Sequence, residues 1–229
     1  SVLQHFKDIG HNVDTHDITY ENSQARERTQ ILMDVANQMN AIVIGTGDMS
    51  ELALGWCTYC GDQMSMYGVN SGVPKTLIKF VLDWLSRKKA DSRISDIISD
   101  VIDTPISPEL LPDSNDNIVQ KTEEAIGPYE LHDFFLYYLL HTDFQPAKIL
   151  LLAEHCFSAD REPQYNRQQI LGCMRIFYRR FFSQQFKRSC ASDGVQVGFG
   201  SFSPRGSWQM PSDMSGDVWL AELEKLSDI

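Results

Sequence analysis

The chain has 229 residues, 42% of them hydrophobic, and a formal net charge of -11 at pH 7. That length suffices for one large domain or two small ones with a real core, and no apolar run approaches the ~20 residues of a membrane span. The acidity excludes a broad nucleic-acid surface, which needs a basic footprint, but leaves room for a local Lys and Arg cluster that holds phosphates.

The segment from Ser1 to Asp8 lacks the charged, apolar and small-residue regions of a signal peptide. Residues 2–9 read as the end of a helix, with Leu3, Phe6 and Lys7 at turn spacing and Gly10 as the stop. Opening in a helix is unusual, because a doubly wound domain ordinarily opens on a strand. Residues 11–18 alternate in part and predict a strand. Asn22 is the candidate cap of the next helix, whose Ile31, Leu32, Val35, Ala36 and Met39 share one face. Arg26 and Arg28 then fall near its amino end, where a cation gains nothing from the helix dipole, and on these grounds alone they read as solvated.

Residues 41–44, Ala-Ile-Val-Ile, predict a short buried strand. Gly45-Thr46-Gly47 breaks it, and a helical pattern begins at Glu51. Open α/β sheets present loops to nucleotides in this way, with ligands beyond the carboxyl ends of the strands. Trp56, Thr58, Tyr59, Gly61, Asp62, Gly68, Asn70, Gly72 and Lys75 follow closely. They combine glycines for tight backbone, aromatics for stacking, a carboxylate and a lysine. Cys57 and Cys60 have CxxC spacing, but zinc would want a second pair or histidines at ligand spacing. The five cysteines, Cys57, Cys60, Cys156, Cys173 and Cys190, are odd in number and scattered. They read as reduced bystander thiols of a cytoplasmic protein.

Residues 76–85 predict an apolar-rich helix whose Arg87-Lys88-Lys89 end suits the dipole, and 93–103 a second amphipathic segment. Prolines 105, 108 and 112 then break regular structure, and a polar stretch runs on to Gly127-Pro128. A loop of that length marks a lid, a binding loop or disorder. Helices over 129–141, 148–157 and 167–185 carry aromatic stripes, among them Phe134, Phe135, Phe177, Tyr178 and Phe181, which read as core or subunit interface. His132 and Asp133 are adjacent, so they lie on different helix faces and make no dyad. Residues 189–216 are rich in Ser, Gly and Pro and predict an irregular tail, closed by a short helix over 218–226.

The segments GTGDMSE (45–51), GWCTYCGD (55–62) and NSGVPKT (70–76) resemble the ATP-dependent NAD synthetase family, in its glutamine-dependent, multidomain branch. The resemblance extends through Tyr20 to Arg28, Lys121 to Glu123, Gly127 to Phe135 and Lys187 to Cys190, covering nearly the whole chain. It implies an α/β fold: an incomplete Rossmann-like parallel sheet flanked by helices, with a largely helical C-terminal half. Residues 1–188 would be a truncated ATP-pyrophosphatase domain with a lid at about 104–127 over the reaction site, and 189–229 an extension packed on or beside it. The family's pyrophosphatase loop, a Ser-Gly-Gly-x-Asp-Ser run, does not occur in these residues. The expectation is therefore a carboxyl-terminal fragment of the enzyme, inactive by itself.

The reaction so implied has ATP adenylate the nicotinate carboxylate of deamido-NAD; ammonia then gives NAD and AMP. Thr46, Lys75 and Thr104 would contact ATP. Asn22, Arg26, Glu51, Trp56, Cys57, Thr58, Tyr59, Asp62 and Lys187 would contact deamido-NAD, with Trp56 or Tyr59 stacking on a ring. Glu51 stands alternatively for a magnesium carboxylate. No catalytic acid, base or nucleophile is assigned. Capping for Asp62 and solvation for Lys187 are the plainer roles. The ammonia would come from an N-terminal glutaminase domain, and the enzyme would form a homo-oligomer with no nucleic-acid or membrane partner. Two other classes compete: a non-enzymatic, dimerising remnant, and another adenylating ligase of the same superfamily. The substrate-side segments WCTY and NSGVPKT count against the latter.

Overall fold

The computed structural model describes residues 1–88, 91–104, 122–158, 162–206 and 208–227. Helix α1 (Val2–Ile9) buries Phe6 and stops at Gly10, whose φ of 72° lies in the left-handed region that glycine favours. Residues 11–17 form turns rather than the predicted strand. Asp17 there caps α2 (Ile18–Met39), its carboxylate accepting from the N–H groups of Thr19 and Tyr20. Asn22 is thus an inner residue of α2 and not its cap. A carboxylate at that end satisfies orphan N–H groups and also suits the helix dipole. Of the predicted apolar face only Ala36 is buried; Ile31, Leu32, Val35 and Met39 are exposed.

Strand β1 (Ile44–Gly45) pairs in parallel with β2 (Tyr67–Gly68), Ile44 opposite Tyr67 and Gly45 opposite Gly68. The fold is mixed α/β but mostly helical, and the sheet among the described residues has two strands rather than a broader Rossmann-like array. The 41–44 run is not buried as predicted: Ile42 is 63% exposed and Ile44 47%. Among the described residues β1 is paired on one side only, and no layer covers Ile42 or Ile44.

Helix α3 (Met49–Leu54) follows β1, and α4 (Lys75–Lys88) and α5 (Ser92–Asp103) make a hairpin after β2. Then come α6 (Thr122–Ile126), α7 (Tyr129–Thr142), α8 (Pro146–Cys156), α9 (Arg167–Ser183), α10 (Gln185–Ser189) and α11 (Asp217–Ser227). The core lies where α7 and α9 meet, with Phe135, Phe177 and Phe181 fully buried and Met49, Ala53 and Leu54 of α3 inserted among them. Side chains of this size each contribute roughly 1.5–3 kcal/mol on burial, so α3 is anchored by its packing despite its length. The aromatic stripe of α9 is core.

The tail beyond α10 runs beside β2. Gly68 N–H donates to Asp193 O at 2.7 Å, Gly68 bridges to Gly194, and α11 packs on α8 and α9. A side chain on Gly194 would collide with the Ser71 hydroxyl and the Gly68 carbonyl. Most of the predicted lid at 104–127 lies outside the described residues. No described helix is long and apolar enough to cross a membrane.

Candidate functional site

Helix α3 has six residues, about 9 Å at 1.5 Å per residue, and each of its ends carries one cluster of candidate residues. At the amino end Asp48 and Glu51 form a reciprocal capping box: Asp48 Oδ1 accepts from Glu51 N at 2.9 Å, and Glu51 Oε2 from Asp48 N at 3.2 Å. Their remaining oxygens take one ammonium between them, Lys75 Nζ, at 2.7 Å from Asp48 Oδ2 and 2.9 Å from Glu51 Oε1. Burial, then the Glu51 charge, pushes the Asp48 carboxyl up to about 7, against the pull of Lys75. Burial works against the Lys75 charge, but Asp48 and Glu51 outweigh it and hold its pKa above the ordinary value. The ring of Tyr129 lies 5.1 Å below the ammonium.

A buried carboxylate, Asp133 of α7, fixes Lys75 from behind. It accepts from Ser50 Oγ, from Thr76 N at 3.0 Å and from Thr76 Oγ1 at 2.7 Å. Ser50 Oγ in turn accepts from Lys75 N at 2.8 Å. Asp133 therefore joins the starts of α3 and α4. Burial raises its carboxyl, while the hydrogen bonds from Ser50 and Thr76 work to lower it. Thr46 is exposed on the same side, its carbonyl 3.5 Å from Asn70 Nδ2.

At the carboxyl end of α3, Gly55 turns the chain at φ 56°, and any side chain there would meet that of Gln184. The last carbonyls of a helix lack intrahelical donors, and here cations supply them. Arg180 Nε donates to Leu54 O at 2.8 Å, with its guanidinium 4.9 Å from the Trp56 ring centroid. Lys187 Nζ donates to Gly55 O at 2.8 Å and Cys57 O at 2.6 Å. Arg188, buried, donates to Leu52 O at 3.1 Å and Ala53 O at 2.7 Å. Burial lowers the pKa of all three, that of Arg188 to about 9.

This brace sets the path of the following turn. Asp62 Oδ1 accepts from Thr58 N at 2.6 Å, so its carboxylate closes the turn. Two residues of α2 reach the same turn: Thr58 Oγ1 donates to Asn22 Oδ1 at 2.9 Å, and Arg26 Nε donates to Tyr59 O at 3.2 Å. Cys57 Sγ donates to Gln63 Oε1 at 3.2 Å, and burial pushes its thiol up to about 12, far from a nucleophile. Asn22, Arg26, Trp56, Cys57, Thr58, Tyr59, Asp62 and Lys187 are thus brought together, and Glu51 with Lys75 stands at the other end of α3. Thr104 ends α5, its hydroxyl donating to Asp100 O at 2.8 Å, with no hydrogen bond to the other candidates.

Sequence reasoning passed over Asp48, Asp133, Arg180 and Arg188. The Asp-x-x-Glu spacing at 48–51 was a readable signal for the capping box. The other three act through contacts across more than 50 residues that no local pattern carries.

The NAD synthase family model matches residues 1–158. The chain is 41% identical over 239 aligned residues to a glutamine-dependent NAD(+) synthetase of Mycobacterium leprae, covering 96% of this chain and 35% of that protein. A glutamine-dependent NAD(+) synthetase of Mycobacterium tuberculosis is 42% identical, with 97% and 35% covered. The chain thus spans about a third of the length of these relatives. In fold it is similar to the crystal structure of a glutamine-dependent NAD(+) synthetase from Cytophaga hutchinsonii, at TM-score 0.71 and 20% identity, over 97% of this chain and 34% of that one. The chain belongs to the NAD synthase family.

Proposed function

We propose that this NAD synthase family member forms the part of a glutamine-dependent NAD synthetase that holds deamido-NAD and one side of ATP. The convergence of Asn22, Arg26 and Lys187 on the 55–62 turn carries this reading. Three segments distant in sequence meet there around an indole, a phenol and backbone amides, the materials of a dinucleotide site. In the reaction, a nicotinate carboxylate oxygen attacks the α-phosphorus of ATP and pyrophosphate leaves. Ammonia then attacks the acyl carbon, a proton is lost and AMP departs. A carboxylate cannot expel oxide, so the mixed anhydride is what makes amide formation possible.

Lys75 is the phosphate contact in this reading, with Thr46 beside it and Thr104 reaching in from the lid's start. Positioning and charge neutralisation dominate such chemistry. Asp48 and Glu51 fit magnesium: hard cations take carboxylate oxygens and keep several waters, so a pair suffices although no group of three or more His, Cys, Asp or Glu among the described residues is placed to hold a metal. Magnesium would supply charge neutralisation at the phosphates. Lys75 is what those carboxylates hold without it, and Glu51 could equally face the dinucleotide. Asn22, Arg26, Trp56, Cys57, Thr58, Tyr59, Asp62 and Lys187 would bind and orient deamido-NAD. Ammonia from a glutaminase domain and assembly of several copies complete the reading; Phe80, Trp84 and Ile97 of the α4–α5 hairpin are exposed apolar groups suited to a subunit contact.

The 229 residues contain no Ser-Gly-Gly-x-Asp-Ser run, so by themselves they are expected to bind without turnover. Calorimetric titration with deamido-NAD and then magnesium-ATP, alongside an assay for ammonia-dependent NAD formation, tests this. Deamido-NAD binding without turnover is the expected result. Turnover would refute the inactivity, and failure to bind either ligand would favour a non-enzymatic interaction module.

A further inference from the structure

Arg180, Lys187 and Arg188 converge on the end of α3 in a chain whose net charge is -11. None of them forms a salt bridge among the described residues; Lys75, by contrast, has Asp48 and Glu51. Their hydrogens go to carbonyl oxygens, which orient the cations but leave their formal charge uncancelled. The carboxylate of Asp62, which accepts from the Thr58 amide, attracts Lys187 and offsets part of that charge, whereas no carboxylate among the described residues forms a salt bridge with Arg180 or Arg188. A local excess of positive charge therefore surrounds the turn that begins at Trp56.

Resting on the reading of residues 55–62 as the dinucleotide site, we propose that this cationic brace, led by Arg180, determines specificity. It makes the site prefer a pyridinium ring bearing a carboxylate over the same ring bearing an amide. The first ring is a zwitterion with no net charge; the second is a cation. The guanidinium of Arg180 lies 4.9 Å from the Trp56 centroid on one face of the indole. A cation there already occupies the ring quadrupole, so the opposite face attracts a second cation less. A ring stacked on that face would lie about 8 Å from the guanidinium, given ring spacings of a few ångströms. At that distance and the effective dielectric of a partly buried site, one unit charge changes affinity by roughly ten- to thirtyfold. Lys187, with the same sign and a little farther along the turn, acts in the same direction. The consequence for the reaction is one-way traffic: amidation turns a tolerated ring into a repelled one, and the product leaves.

Arg180 is a positioning residue as well, since it holds Leu54 and Gly55, so the test must separate charge from shape. Dissociation constants for deamido-NAD and for NAD are measured by calorimetry on the wild type, Arg180→Gln and Arg180→Lys. The wild type is expected to favour deamido-NAD, Arg180→Gln to shrink the ratio of the two constants by roughly ten- to thirtyfold, and Arg180→Lys to restore most of it. A role confined to shape would weaken both ligands in proportion and leave the ratio unchanged, which overturns the proposal. If Arg180→Gln does not unfold cooperatively, Lys187→Gln provides the same comparison. If neither dinucleotide binds the wild type, the dinucleotide site itself is wrong and the proposal falls with it; binding of both with a constant ratio sinks the specificity role alone.

Discussion

Arg188→Met is the substitution whose cost can be worked most directly from the structure. The guanidinium donates to the backbone carbonyls of Leu52, Ala53 and Phe181 and to Gln185 Oε1, and lies 4.7 Å from the Phe181 ring. Methionine fills much of the same space and keeps the contact with Phe181, but offers no hydrogen. Leu52 O keeps the Gly55 N–H, but the carbonyl oxygens of Ala53 and Phe181 are then orphaned in a site that is 3% exposed at Arg188. Each orphaned acceptor costs roughly 1–3 kcal/mol. Relief from burying a cation without a carboxylate offsets part of that sum, leaving a loss of about 2–4 kcal/mol, a large share of the ~5–15 kcal/mol of a typical domain. Equilibrium urea unfolding followed by circular dichroism measures it. Hydrogen exchange should place the loosening in α3 first. Arg188→Lys should lie between, because an ammonium can reach some of the carbonyls. A loss below about 0.5 kcal/mol for Arg188→Met, with an unchanged denaturant slope, would show that the brace does not hold α3.

Other expectations follow from the same geometry. Lys75→Met leaves Asp48 and Glu51 without their shared cation. The Asp48 carboxyl, already raised above its unfolded value, rises further, so the stability deficit should grow as pH increases through 7, and binding of magnesium-ATP should be lost in calorimetry. His132 is buried with its Nε2 2.8 Å from Ile126 O, and burial lowers its pKa from 6.5 to about 4. Its stabilisation is therefore present above pH 6.5 and lost as pH falls toward 4, by about 3 kcal/mol; thermal melts of His132→Asn should show a flatter acid limb than the wild type. Asp133→Asn turns an amide N–H₂ toward the Ser50 or Thr76 donors. It should cost about 1–3 kcal/mol and weaken magnesium-ATP binding in the same preparation, whereas stability loss with unaltered binding would separate Asp133 from the Lys75 end of α3.

Helices were legible where the chain carries its own punctuation. Gly10 ends α1, and the apolar and aromatic periodicity of α4, α7 and α9 reappears as helices within three residues of the predicted bounds. Asn22 was misread because two capping-type residues lie close together, and Asp17, directly ahead of Ile18, offers the better-placed carboxylate. The buried strand at 41–44 was misread because apolar sequence reports what a segment can bury, not whether a covering layer stands over it. The candidate site divides the same way. The residues of GTGDMSE and GWCTYCGD could be picked out as motifs, but that α3 separates them into an anionic end and a cationic end depends on Arg180 and Arg188, more than 120 residues away.

The seam between β2 and the tail sets the order in which this molecule can assemble. Ser65 and Ser192, joined hydroxyl to hydroxyl at 2.7 Å, are 127 residues apart, and the glycine backbones beside them pack too closely to admit a loose approximation. Contacts of such separation reward the chain only after the intervening loop has been closed, while helical hairpins form from neighbours. The α7–α9 helices should therefore condense first, and the 55–62 turn should gain its Lys187 and Arg180 partners only when α9 and α10 dock on α3. A nascent or refolding chain would show helical content before the 55–62 turn is fixed, so protection of that turn's amides, followed in time, reports the final step of folding.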